Sequence, residues 1–99
     1  MEPNKIALPE LLKQYRAEAG LSFQALSNRS AVDVAYLYRL ETGYAGNPSR
    51  DILLKIGIGL GLDVATIDYL ITTAGHWPLV RDKKSVNQTR EQTASDFET

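Results

Sequence analysis

Two groups of side chains stand out by type and position in residues 34–42, VAYLYRLET. At about 100° per residue, Leu37, Leu40 and Tyr36 fall on one side of such a helix. Val34, Ala35, Tyr38, Arg39 and Thr42 are assigned to the opposite, exposed arc, which combines a cation, a phenol and small apolar groups. Glu41 lies beside the inward arc, so its carboxylate needs a partner. In the segment 8–19, Arg16 lies roughly 40° from Leu12, at the edge of that segment's apolar stripe. An Arg16–Glu41 ion pair joining the two segments is the expected arrangement.

Other chemistries are excluded by composition. The 99 residues contain no cysteine and one histidine, His76. Disulfides, thiolate metal sites and thiol catalysis are therefore ruled out, and a histidine metal cage or triad has too few ligands. No paired carboxylates and no nucleophile–base pair are recognisable, so neither an enzyme nor a cofactor or metal site is expected. His76, beside Trp77 and Pro78, is read as a cap or packing residue and Trp77 as a plug for the end of the bundle. No apolar run approaches the roughly 18 residues needed to span a membrane. Met1–Ala7 lacks the apolar stretch of a secretory signal, which makes a cytoplasmic location the default. Formal charges nearly balance, 11 cations against 12 carboxylates, so there is no global pull toward a polyanion.

The elements that must position these residues read as helices throughout. Leu8, Leu11, Leu12, Tyr15 and Ala19 recur at helical spacing, with Pro9 in the first turn and Gly20 as the stop. Ser22 suits the cap of a second helix over 22–30, with Phe23 and Leu26 inward. Asp33 caps a third over 34–42, stopped by Gly43. After a loop at 44–47, Ser49 caps a fourth carrying Leu53, Ile56 and Leu60. Asp63 caps a fifth with Val64, Ile67, Ile71 and Ala74 in one stripe, ended by Gly75. Gly57, Gly59 and Gly61 match no nucleotide-binding fingerprint and imply close helix packing. No window alternates as a strand would. The expected fold is all-α, a compact bundle of five short helices in which helices 2 and 3 form a helix-turn-helix. Residues 8–80 form that domain. Residues 1–7 are expected to be a flexible N-terminus. Residues 81–99, with only Val86, Ala94 and Phe97 apolar, are expected to be a polar, disordered tail.

The stretch GLSFQALSNRSAVDVAYLYRLETG, residues 20–43, resembles the helix-turn-helix of the lambda-repressor-like regulators, the XRE family. Its most specific elements are Gly-Leu-Ser at 20–22 and Tyr-Leu-x-Arg-Leu-Glu-x-Gly at 36–43. The likeness runs from Leu12 and Arg16 through Pro48-Ser49 and Leu53–Ile56 to Leu60-Gly61-Leu62. Phe23 stands where the family commonly has Gln. The family's Arg–Glu pair falls on Arg16 and Glu41.

The resemblance implies sequence-specific binding of double-stranded DNA by a transcriptional regulator, with residues 34–42 in the major groove. It implies base contacts from Val34, Ala35, Tyr38 and Arg39. Of these, Arg39 is able to contact guanine O6 and N7 together. It implies phosphate contacts from Ser22, Gln24, Tyr36, Asn47 and Arg50. It also implies a homodimer, with the fifth helix and the Trp77 region as the candidate dimer surface. Two alternatives keep a protein partner: an interaction module on the same fold, with Val34, Ala35 and Tyr38 as its docking arc, or the antitoxin of a toxin–antitoxin pair.

Overall fold

The computed structural model describes residues 6–79. The expectations for residues 1–5 and for the tail 81–99 lie outside the described residues. Five helices follow in order: α1 (Leu8–Ala19), α2 (Phe23–Ser30), α3 (Val34–Thr42), α4 (Arg50–Gly59) and α5 (Val64–Thr73). There is no strand among the described residues.

Local chemistry sets the helix starts. Ser22, Asp33, Ser49 and Asp63 each accept a hydrogen bond from a backbone N–H in the first turn of the helix they precede, supplying acceptors for donors that no preceding turn can satisfy. α1 has no side-chain cap and begins instead with Pro9 in its first turn. Gly20 and Gly43 end α1 and α3 in the left-handed conformation, at φ 69° and 85°. α2 ends the same way on a residue with a Cβ, Ala31, at φ 62°.

α1 packs on α3 and α5, α2 on α3 and α4, and α4 on α5. Leu53, Ile56, Leu70 and Ile71 are almost wholly sealed from solvent at the centre, with Leu11, Leu12, Leu26, Val32, Leu37, Leu40, Leu60 and Ile67 around them. α4 approaches its neighbours closely because it carries glycines. A Cβ on Gly57 would come within 2.8 Å of Ile67 Cγ1, and one on Gly59 within 2.9 Å of Ser30 Cβ and 3.1 Å of its Cα. The close-packing role expected of these glycines therefore holds for Gly57 and Gly59.

The end of the bundle differs from expectation. Trp77 does not plug it: the residue is 81% exposed. Leu79 packs against the core instead, and it is the backbone around Trp77 that is held. Arg50 Nε donates to the Trp77 carbonyl at 2.7 Å and its Nη2 to that of Pro78 at 3.1 Å. Asn47 Nδ2 donates to the Ala74 carbonyl at 3.0 Å. His76 Nε2 and the Pro48 carbonyl are 2.8 Å apart. The Leu79 N–H donates to Asp68.

Candidate nucleic-acid interface

α2 and α3 form the helix-turn-helix, joined by the turn at Ala31–Asp33. The turn is pinned by side chains of α2: Ser27 Oγ donates to the Val32 carbonyl at 2.6 Å, and the Val32 N–H donates to the buried Ser30 Oγ at 3.2 Å. Asp33 then starts α3 by accepting from the N–H groups of Ala35 and Tyr36 through one oxygen.

The inner face of α3 is fixed by Leu37 and Leu40 in the core and by Glu41. Arg16 grips Glu41 with two parallel bonds, Nε to Oε2 at 2.6 Å and Nη2 to Oε1 at 3.0 Å. Its remaining arm donates to the Leu21 carbonyl at 2.9 Å. The Arg16–Glu41 pair expected from the helical angles is thus present. The Glu41 side chain is 6% exposed and that of Arg16 18%. Glu41 borders a small gap among Leu12, Leu26, Leu37, Leu40 and Ile56, so the guanidinium is its compensation for lost water. The bond to Glu41 raises the Arg16 pKa further above its ordinary value.

The outer face of α3 presents Ala35, Tyr38, Arg39 and Thr42, all exposed. Val34 does not share that exposure. It sits at the boundary of the two faces, about 60° from Leu37 and about 40° from Tyr38, and it is half-buried. Arg39 leans on the half-buried Tyr36, its Cζ 5.7 Å from the ring centroid. Tyr38 is 55% exposed and makes an edge-type contact with Phe23 at the start of α2, with ring centroids 5.6 Å apart.

Of the residues expected to touch phosphate, Ser22 and Gln24 lie exposed at the N-terminal end of α2. The Ser22 hydroxyl accepts from the Ala25 N–H at 3.0 Å, and Gln24 Nε2 donates to Asn28 at 3.1 Å. Asn47 and Arg50 lie at the other junction, before α4, where both donate to the carbonyls of residues 74–78. Sequence reading missed this clamp because its acceptors are main-chain oxygens 27 or 28 residues away, and carbonyls leave no mark in residue types. It also missed the contact from Phe23 to Tyr38, because Phe23 was assigned inward and Tyr38 to the exposed arc.

Among the described residues there are six cations and seven carboxylates. Arg16 pairs with Glu41, and Lys55 lies 3.6 Å from Asp51. Arg50 is held by carbonyls. Lys13, Arg29 and Arg39 are the cations among the described residues with neither an ion pair nor a side-chain hydrogen bond.

A family model described as a helix-turn-helix domain matches residues 7–70, almost all of the described fold. The chain belongs to that helix-turn-helix family, a DNA-binding class. No curated protein and no solved structure matches it. No described helix is long and apolar enough to cross a membrane.

Proposed function

We propose that this protein is a sequence-specific transcriptional regulator of the lambda-repressor-like, XRE type. It acts in the cytoplasm as a homodimer and places α3 in the major groove of double-stranded DNA. One observation carries the reading: the inner face of α3 is locked by Leu37, Leu40 and the Arg16–Glu41 pair, while Ala35, Tyr38 and Arg39 project from its outer face with no packing duty in the core. A rigid helix with a free polar edge is what base readout requires.

In this reading Arg39, steadied by the Tyr36 ring, donates to guanine O6 and N7. Ala35, and the exposed edge of Val34, pack on thymine methyls, and Tyr38 contacts a neighbouring base edge. Ser22, Gln24 and Tyr36 position the phosphates flanking the groove. Asn47 and Arg50 contribute at one remove, by fixing the segment after α5. Exposed Val64, Tyr69 and Trp77 support the fifth helix and its exit as the dimer surface, which would set two half-sites about one helical turn apart.

The test is fluorescence anisotropy on a duplex carrying the preferred site. Arg39→Ala is expected to weaken binding by about 5- to 150-fold, the value of one bidentate contact to guanine, and to erase preference at one base-pair position. An unchanged affinity and preference would remove Arg39 from the interface.

A second reading rests on the charge balance. Six cations against seven carboxylates among the described residues is thin for phosphate neutralisation, and the outer face of α3 includes a large exposed phenol. A protein-interaction module would show association that is insensitive to salt and abolished by Tyr38→Ala.

A further inference from the structure

Phe23 occupies the first position of α2 and is half-buried against the core. Two side chains from other helices hold its ring. The Arg16 guanidinium carbon lies 3.9 Å from the ring centroid, a close cation–π approach. Tyr38 meets the ring edgewise, with the planes at 69°. Arg16 cannot drift, because Glu41 and the Leu21 carbonyl engage all three of its nitrogens. A continuous chain of contacts therefore runs from Glu41 on α3, through Arg16 on α1 and Phe23 on α2, back to Tyr38 on the outer face of α3.

The direction of that chain matters. Exposed side chains sample several staggered rotamers. An aromatic with one ring edge packed is held to few, so its hydroxyl has a defined position. Hydrogen bonds weaken steeply with misalignment. A phenol free to swing would find acceptors and donors on more than one base, and its preference would average out.

We propose that Phe23 is a specificity-determining positioning residue. It touches no DNA itself, and by fixing the Tyr38 ring it makes the Tyr38 hydroxyl read one base-pair position. The inference rests on the DNA-binding reading above and deepens it. It assigns Tyr38 a contact whose sharpness is set from α2, and it gives the Phe at this position a role in readout.

The experiment is selection of the full chain on a random duplex library, comparing wild type with Phe23→Leu, Phe23→Tyr, Tyr38→Ala and the Phe23→Leu/Tyr38→Ala double variant. Base preferences are ratios within the bound fraction, so a partly unfolded population cancels. Phe23→Met replaces Phe23→Leu if the latter does not fold. Tyr38→Ala is expected to flatten preference at one position by about 3- to 10-fold, the value of one hydrogen bond. Phe23→Leu should flatten the same position by a comparable factor and leave the position read by Arg39 sharp. Phe23→Tyr, which keeps the ring, should retain the wild-type preference. The double variant should lose no more than Tyr38→Ala alone. The proposal is overturned if Phe23→Leu keeps the preference that Tyr38→Ala loses, if it blurs every position equally, or if the two losses multiply. If wild type enriches no sequence at all, the DNA-binding reading fails, and the assignment of Phe23 fails with it. If wild type is selective but Tyr38→Ala is unaltered, only the assignment of Phe23 fails.

Discussion

Removing the Glu41 carboxylate should melt this domain at a much lower temperature. Glu41 is 6% exposed and faces Arg16 through bonds of 2.6 and 3.0 Å. In Glu41→Ala the guanidinium stays where it is, enclosed by α1, α2 and α3, and loses its counter-charge. Stranding one member of a buried pair costs roughly 3–5 kcal/mol. Arg16 retains the Leu21 carbonyl and the Phe23 face and is 18% exposed, which favours the lower end, about 3 kcal/mol. At roughly 4–8 °C per kcal/mol for a domain of this size, the melting temperature should fall by about 12–24 °C. Thermal melting followed by circular dichroism reads this directly. The double variant Arg16→Met/Glu41→Leu should recover most of the loss, because it removes the stranded charge along with the pair. If Glu41→Ala stays within about 1 kcal/mol of wild type, the pair behaves as a solvated surface bridge, and the locking of α3 from its inner face is wrong.

Four further outcomes follow from the same geometry. Gly59→Ala should destabilise by about 1–3 kcal/mol in urea unfolding, because the new Cβ meets Ser30 backbone at 3.1–3.2 Å. Gly57→Ala should cost less, since its Cβ meets only the Ile67 side chain and gains helix propensity. Ala31→Gly should stabilise by about 0.5–1 kcal/mol in the same assay, because Ala31 holds φ 62° with a Cβ; a loss would show that its methyl has a packing role. The Asp63 carboxyl is held below its ordinary pKa by hydrogen bonds from Thr66. Its cap is therefore fully present above the unfolded carboxylate range, about pH 4, and is lost as pH falls through the lower folded value. An NMR titration should place its midpoint below that of an unperturbed aspartate, with α5 fraying at its first turn below that midpoint.

The legible part of this fold lay in short-range chemistry. Ser22, Asp33, Ser49 and Asp63 announced four helix starts because a cap needs only an oxygen in reach of amides two or three residues on. The Arg16–Glu41 pair was legible because each charge sat at the margin of an apolar stripe, where a carboxylate requires compensation. Val34, assigned to the outer arc, stands at its margin, between Tyr38 and Leu37, and is half-buried there. Trp77 was misread because size and apolarity say what a side chain gains by burial, not whether room remains. Here Leu79 is the residue of that exit that packs against the core, while Trp77 stays 81% exposed. The Asn47, Arg50 and His76 contacts were illegible for a different reason: their partners are carbonyls, which every residue carries.

Whether α3 reads DNA is decided by selection of the purified full chain on a random duplex library at two salt concentrations. A dimeric reader of DNA gives an enriched motif with dyad symmetry, half-sites about one helical turn apart, and weaker binding at the higher salt. No enrichment, with no salt-dependent binding, would contradict it and show that the outer face of α3 does not read DNA.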